Sequence, residues 1–130
     1  MADKHSGGCL CGAVTFEVAG PLRPILFCHC NQCRKQSGHF YAATSAPVSA
    51  ILISGENRIT WYESSTRAKR GFCSICGSAL FWKMNDESEM SILAGSFDEP
   101  TELVADKHIF CESKGDYYEI GDGLPQIPRY

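Results

Sequence analysis

Eight cysteines, seven of them in three short groups, constrain this chain of 130 residues more than any other feature of its sequence. A disulfide between residues two or three apart would be strained, whereas a metal ion accepts such neighbouring thiolates as ligands. The first five residues are polar and contain no apolar signal-peptide segment, which favours the reducing cytoplasm, where disulfides are rare. We therefore interpret the grouped cysteines as metal ligands. The groups are Cys9 with Cys11, Cys28 with Cys30 and Cys33, and Cys73 with Cys76, while Cys111 stands alone.

Two of the groups have the spacing of one closed, structural zinc site. Residues two apart on an extended strand point to the same side, so Cys9 and Cys11 can bind one ion together. Cys73 and Cys76 form a C-x-x-C turn, in which both sulfurs face inward. A glycine follows each pair and suits the positive φ that such turns often need. Unrelated surface cysteines are the alternative, but the paired spacing predicts a four-thiolate site.

The middle group, Cys28, Cys30 and Cys33, offers three ligands and no obvious fourth. Zinc with three protein ligands and one remaining position is typical of reactive sites. His29 lies between two ligands on an extended segment, so its side chain should face away from the ion. Cys111 follows two apolar residues and is more simply explained as a core cysteine. Either residue could still close the site as a fourth ligand, but the spacing favours a reactive site.

Size, charge and hydropathy limit the remaining function classes. A length of 130 residues suits one zinc-binding domain over residues 1–130 with a single apolar core. The net charge of -3 and the sequence pI of about 5.8 argue against a nucleic-acid binder, which usually has a basic surplus. No apolar stretch approaches the roughly 20 residues that cross a membrane as a helix. We expect neither nucleic acid nor a membrane among the partners.

The pattern of apolar residues predicts a mainly β fold. Residues 12–18 alternate, with Val14, Phe16 and Val18 on one face, as in a half-buried strand. Residues 31–38 are expected to form one or two helical turns, with Asn31 as N-cap and Gly38 as the stop. Short strands between frequent glycine and proline turns favour a sandwich-like or barrel-like arrangement. The other predicted strands cover residues 24–30, 40–45, 48–53, 59–63, 67–72, 79–84, 90–94, 108–111 and 117–120.

The remaining candidate side chains have both a structural and a functional interpretation. His39 and His108 lack a partner at ligand spacing, which favours a structural role. Basic residues near the second and third cysteine groups form either a solvated face or a pocket for substrate carboxylates. Four aromatic residues are expected in the core or in a pocket wall. The basic residues are Arg34, Lys35, Arg67, Lys69 and Arg70, and the aromatic residues are Trp61, Trp82, Tyr117 and Tyr118.

Six segments together resemble the glutathione-dependent formaldehyde-activating enzyme family, which includes centromere protein V-like proteins. The combination of C-x-C, C-x-C-x-x-C and C-x-x-C-G is highly specific, although each piece alone would be weak. The segments occur in the family's order and extend over nearly the whole chain. They are GCLCGAV (8–14), CHCNQCRKQSG (28–38), RGFCSICGS (70–78), LAGSFD (93–98), HIF (108–110) and GLP (123–125).

The resemblance implies a fold and a pair of metal sites. The expected fold is β-rich and β-tent-like, with two sheets tied by zinc. Two zinc ions per chain are implied, and their ligand sets agree with the spacing argument. The structural ion would be bound by Cys9, Cys11, Cys73 and Cys76, and the catalytic ion by Cys28, Cys30 and Cys33.

The resemblance also implies an activity, the joining of formaldehyde to glutathione as S-(hydroxymethyl)glutathione, classed as a carbon–sulfur lyase reaction. The expected partners are a small thiol and a small aldehyde. A three-thiolate zinc is a poor Lewis acid for water but a good host for a further soft ligand such as a thiol. Binding would keep that thiol as the nucleophilic thiolate. A zinc-stabilised binding module without catalysis is the alternative, because the sequence identifies no general acid or base.

Overall fold

The computed structural model describes residues 4–130, which form two β-sheets. The smaller sheet is antiparallel throughout, and its three strands lie side by side in sequence order. In strand β2 the side chains alternate between buried and exposed, as its sequence TFEVA predicts. The three strands are β1 (Lys4–Gly8), β2 (Thr15–Ala19) and β5 (Ile51–Ser54).

The larger sheet has seven strands: β3 (Ile25–Cys28), β4 (Tyr41–Pro47), β6 (Ile59–Glu63), β7 (Ala68–Cys73), β8 (Ala79–Met84), β9 (Glu89–Leu93) and β10 (Ala105–Ile109). Their order across the sheet is β10–β3–β4–β9–β8–β7–β6. Strand β10 runs parallel to β3 at one edge, and all other neighbours are antiparallel. The predicted mainly β fold with two sheets is confirmed.

Side chains from both sheets share one apolar core. Phe16 of the smaller sheet meets Phe81 of the larger sheet edge-on, with ring centroids 5.9 Å apart. Cys73 is fully buried in the same cluster, so this cysteine is anchored where the two sheets pack together. Packing in the core therefore fixes the position of Cys73, one of the predicted metal ligands. The core residues are Val14, Phe16, Val18, Ala46, Cys73, Leu80, Phe81, Met90, Ile92 and Phe97.

A short helix, α1 (Asn31–Ser37), connects β3 to β4. The predicted N-cap is wrong by one residue, because Cys30 occupies that position and its sulfur accepts a hydrogen bond from the Cys33 amide at 3.3 Å. The predicted stop is confirmed at Gly38, which adopts φ 92° and donates its amide to the carbonyl of Arg34 at 2.8 Å. The helix thus starts directly at a cysteine of the middle group.

The strand predictions are wrong at several positions. Residues 117–120 form no strand, because this segment is held by side-chain contacts instead of a backbone ladder. Residues 48–50 form a 3₁₀ turn, and the strand there begins only at Ile51. Strand β1 was not predicted, since its sequence KHSGG has no apolar alternation and becomes a strand through pairing with β2.

Candidate metal centres

The first centre is the four-cysteine cluster of Cys9, Cys11, Cys73 and Cys76, whose sulfurs all lie within 4.8 Å of one another. The Sγ atom of Cys11 is 3.7 Å from that of Cys9 and 3.7 Å from that of Cys73. Two sulfurs bound tetrahedrally to zinc at about 2.3 Å lie roughly 3.8 Å apart. The donor set and its spacing therefore fit a tetrahedral ion with four thiolate ligands.

Two tight loops place these sulfurs. Cys9 and Cys11 lie in the turn between β1 and β2, so the predicted extended strand at this pair is wrong although the two sulfurs do converge. Gly12 and Gly77 follow the pairs with φ 83° and 79°, a left-handed conformation that glycine adopts without strain. The chain can therefore reverse immediately after each pair of ligands.

Hydrogen bonds stabilise negative charge on three sulfurs of the four-cysteine cluster. The Cys9 sulfur accepts from the Val14 amide at 3.3 Å, and the Cys73 sulfur accepts from the amides two and three residues further on. Hydrogen bonds from Ser78, whose Oγ is 3.2 Å from the Cys76 sulfur, lower the pKa of the Cys76 thiol to about 5. Thiolates are the form in which cysteines bind metals.

The second centre is the three-cysteine cluster of Cys28, Cys30 and Cys33, whose sulfurs also lie within 4.8 Å of one another. Cys28 ends β3, Cys30 caps α1, and Cys33 is buried in the first turn of the helix. Hydrogen bonds from Cys28 and Cys33 lower the pKa of the Cys30 thiol. Three soft donors on one short segment can hold a thiophilic metal ion.

Neither alternative fourth ligand joins the three-cysteine cluster. Within residues 4–130, no further cysteine, histidine or carboxylate brings a ligand atom to within 4.8 Å of all three sulfurs. The side chain of His29 instead bonds to Tyr118 and His108. Cys111 is half-buried in a 3₁₀ turn just after β10, not in the strand predicted there. Its amide is bonded to the Ile127 carbonyl at 3.0 Å.

A buried arginine lies against the three-cysteine cluster. Both terminal nitrogens of Arg70 are 3.6 Å from the Cys33 sulfur, and the residue is only 4% exposed. Burial by itself would lower the pKa of this guanidinium, but Cys33, Tyr41 and Cys30 together raise it. Arg70 therefore does not belong to a solvated face, one of the two interpretations of the basic residues, whereas Lys35 and Arg67 are exposed.

A groove of about 530 Å³ lies beside the four-cysteine cluster. Both loops of the four-cysteine cluster line it, together with the end of α1 and the start of β4. Tyr41 and Leu93 line the groove and also pack against the three-cysteine cluster. The buried Tyr41 hydroxyl and Gln36 Oε1 have no hydrogen-bond partner among the described residues, although both residues line the groove.

The family model of the glutathione-dependent formaldehyde-activating enzymes matches residues 4–113. The chain belongs to this family. A Halomonas elongata protein whose name places it in the same family is 30% identical over 127 aligned residues, which cover 88% of this chain and 79% of that protein. An uncharacterized lyase of Schizosaccharomyces pombe is 27% identical over 120 residues, covering 92% of this chain and 87% of the lyase.

A solved structure has a similar fold. The crystal structure of a Rhodobacter sphaeroides protein superposes with a TM-score of 0.61 at 27% identity. The superposition covers 75% of this chain and 91% of that chain. Across residues 4–130 of this family member, no helix combines the length and apolar character needed to cross a membrane.

Sequence reasoning missed a chain of four hydrogen-bonded side chains in this family member. The Tyr118 hydroxyl lies 2.6 Å from His29 Nδ1, His29 Nε2 lies 2.8 Å from His108 Nδ1, and His108 Nε2 lies 2.8 Å from Asp122 Oδ2. Burial, together with the neighbouring His108, lowers the pKa of His29 to about 4. The two histidines are buried, and Tyr118 and Asp122 lie beyond the residues that the family model matches.

The tautomers of the two histidines follow from the carboxylate at one end of this chain. Asp122 can only accept, so His108 Nε2 donates to it. With both imidazoles neutral, His29 Nε2 then donates to His108, and the Tyr118 hydroxyl donates to His29. His108, which has no partner at metal-ligand spacing in the sequence, thus has two hydrogen-bond partners in the fold, His29 and Asp122. His39, likewise without a partner at metal-ligand spacing, bonds to the Tyr117 hydroxyl at 2.8 Å.

Proposed function

We propose that this chain is a zinc-dependent enzyme of the carbon–sulfur lyase type, acting as a single domain over residues 1–130. It would add a small thiol such as glutathione to formaldehyde or a related small aldehyde. The observation that carries the proposal is the three-cysteine cluster, which has three converging sulfurs and no fourth protein ligand among the described residues. Cys28, Cys30 and Cys33 would hold the catalytic zinc, and Cys9, Cys11, Cys73 and Cys76 the structural zinc.

The addition of a thiol to an aldehyde involves one bond formation and two proton transfers. The thiol loses its proton, its sulfur forms a bond to the carbonyl carbon, and the carbonyl oxygen takes up a proton. Zinc in a thiolate-rich site would supply one remaining position for a soft sulfur ligand and would keep it deprotonated at neutral pH. The protein must then bind the rest of the thiol and balance the negative charge that collects at the cluster.

The groove and its surroundings support a small peptide-like thiol. Mostly small residues line it, including Gly8, Gly77, Gly95 and Ser96, so a ligand can approach the backbone closely. Lys35 is exposed beside the end of α1 and is a candidate partner for a glutathione carboxylate. Arg34 is less suited to that role because its guanidinium already donates to the Ser113 carbonyl at 2.8 Å.

The cysteine chemistry also supports a reducing, cytoplasmic-type compartment. Seven of the eight cysteines lie in two dense groups whose sulfurs converge. In an oxidising compartment such neighbouring thiols would be exposed to disulfide formation. Glutathione is abundant as a thiol only where conditions are reducing, so the proposed substrate and the proposed compartment agree.

One observation favours a binding module without catalysis as the second candidate. The groove is lined by Cys9 but by none of the cysteines of the three-cysteine cluster. A ligand in the groove could therefore bind without reaching the proposed reactive metal. The two functions differ in whether the protein accelerates the addition or only binds the thiol.

Exchange NMR with carbon-13 formaldehyde and glutathione separates these functions, because it measures the rate of interconversion at equilibrium. We expect zinc-loaded wild-type protein to accelerate the exchange above the spontaneous rate and Cys30→Ser to lose that acceleration. Cys111→Ser is the matched control, since this cysteine lies outside both clusters, and it should behave as wild type. Glutathione binding without acceleration by the fully zinc-loaded protein would overturn the enzyme proposal and favour the binding module.

A further inference from the structure

Arg70 is an unusual residue for the interior of this fold. Among the described residues, it is the only lysine, arginine or carboxylate whose side chain belongs to the buried set. Charged side chains are almost never fully buried unless they are paired, because removing a charge from water is costly. Its position on β7, three residues before Cys73, therefore calls for a partner of opposite charge.

No carboxylate serves as that partner. Within residues 4–130, the ion pairs join Lys4 to Glu17, His108 to Asp122 and Arg129 to Glu112, and none includes Arg70. Its two terminal nitrogens contact the Cys33 sulfur, and one of them also donates to Gln32 Oε1 at 3.4 Å. The sulfur of the three-cysteine cluster is thus the anionic group that this guanidinium faces.

The hydrogen bonding of Arg70 is incomplete for a purely structural role. Its Nε is buried and has no partner among the described residues, and the same holds for the hydroxyl of Tyr41. The Arg70 guanidinium carbon lies 5.5 Å from the centre of the Tyr41 ring. If the Arg70 guanidinium only linked secondary-structure elements, all of its N–H groups would be expected to form hydrogen bonds, because unpaired buried donors are destabilising.

The charge balance of the three-cysteine cluster explains why the Arg70 guanidinium is buried beside it. Three thiolates around a divalent cation have a net charge of about -1, and a further anionic ligand brings this to about -2. Arg70 adds one positive charge in a region of low dielectric constant, where a neighbouring charge has a larger effect than in water. The cluster with its arginine is therefore neutral before the fourth ligand binds and singly negative afterwards.

We propose that Arg70 is a positioning residue that makes the three-cysteine cluster prefer an anionic fourth ligand, such as a thiolate, over a neutral one. The inference rests on the proposed function to the extent that the metal has a position for an added ligand. It assigns to Arg70 a role in ligand choice, which is separate from the carboxylate binding expected for a basic residue at a substrate pocket. A neutral side chain at residue 70 should change which ligand binds, while the cluster still holds its metal.

Cobalt-substituted full-length protein provides the test, because its visible absorption reports the fourth ligand directly. Glutathione and 2-mercaptoethanol are titrated as thiols, azide as an anion without sulfur, and imidazole as a neutral ligand. We expect Arg70→Gln to weaken binding of the thiols and azide about tenfold or more and to change imidazole binding less than about twofold. Arg67→Gln removes an exposed arginine from the neighbouring loop and should behave as wild type.

A conservative variant keeps the test decisive if Arg70→Gln cannot hold cobalt. Arg70→Lys retains the charge but not the paired donors, so the ratio of thiol affinity to imidazole affinity should stay near the wild-type value. A tenfold fall of that ratio in Arg70→Lys would overturn the proposal, as would an equal loss for thiols and imidazole in Arg70→Gln. If the wild type binds azide and imidazole but no thiol, the proposed enzyme function fails, and the azide-to-imidazole ratio still tests Arg70.

Discussion

At the scale of single residues, the backbone conformation after each cysteine pair decides whether the four sulfurs can meet. Gly77 has φ 79°, and a Cβ atom there would have no other atom within 4 Å. Only the left-handed backbone conformation therefore favours glycine at residue 77. At residue 55 both the backbone conformation and the available space favour glycine. Gly55 has φ 84°, and an added Cβ would lie 2.0 Å from the Ala13 carbonyl oxygen.

Replacing Gly77 with alanine should lower the free energy of unfolding by about 1 kcal/mol, the typical strain of a left-handed alanine. Denaturant unfolding of the metal-loaded protein measures this change. Gly95→Ala is the matched control, because Gly95 also has free space around it but lacks a positive φ, and it should be nearly neutral. Gly55→Ala should cost more than Gly77→Ala, and equal effects in all three variants would contradict this explanation.

Single residues also show what local spacing can and cannot predict. The cysteine pairs could be assigned from sequence because each pair is local, and a metal needs only that the pairs converge. The burial of Arg70 could not be predicted, since an arginine that follows Lys69 and Arg67 in the sequence resembles part of a charged surface until the sheet forms around it. The family resemblance, confirmed over residues 4–113, was carried by the same local cysteine motifs.

At the scale of elements, the parallel pairing of β10 with β3 connects the end of the chain to the three-cysteine cluster. This pairing places His108 beside Phe27, next to the segment that carries His29. The two histidines are 79 residues apart in sequence, and Tyr118 is 89 residues from His29. No local pattern relates such distant residues, so the hydrogen-bonded chain and the irregular segment 117–120 could not be predicted.

Tyr118→Phe should destabilise the protein by roughly 1 kcal/mol, because it leaves a nitrogen of the buried His29 without its hydrogen-bond donor. Tyr117→Phe offers a control one residue away, since its hydroxyl bonds to the exposed His39 and should contribute less than about 0.5 kcal/mol. Chemical denaturation of both variants gives the comparison. A larger loss for Tyr117→Phe would mean that the buried histidine does not depend on Tyr118.

At the scale of the whole molecule, the four-cysteine cluster ties the loop between β1 and β2 to the loop between β7 and β8. These loops belong to different sheets, so the cluster and the shared apolar core together hold the two sheets. The three-cysteine cluster lies within one short segment, from the end of β3 to the first turn of α1, and involves only the larger sheet. Losing metal from the two clusters should therefore have unequal effects on the fold.

We expect Cys73→Ser to lower the unfolding free energy by more than about 4 kcal/mol, because a buried metal ligand joining both sheets is lost. Cys9→Ser and Cys76→Ser should likewise impair folding. Cys30→Ser should remain folded and contain one zinc ion fewer than the two expected in wild type. Thermal melts combined with metal analysis test this division, and similar destabilisation at both clusters would refute it.

A small chelator offers an independent measurement on the wild-type protein. It should remove one ion per chain without loss of the folded state and the second only as the protein unfolds. Far-ultraviolet circular dichroism recorded beside the metal count follows both steps. Release of both ions in a single step would contradict the distinction between a structural and a reactive centre.

The difference in sequence separation between the two clusters also has a consequence for how the protein is made. All three sulfurs of Cys28, Cys30 and Cys33 leave the ribosome almost together, so a nascent chain can capture an ion there before any sheet exists. The sulfurs of Cys11 and Cys73 are 62 residues apart, and bringing them together costs the entropy of closing that loop. Metal uptake at the four-cysteine cluster therefore reports that the two sheets have come together, whereas uptake at the three-cysteine cluster carries no such information.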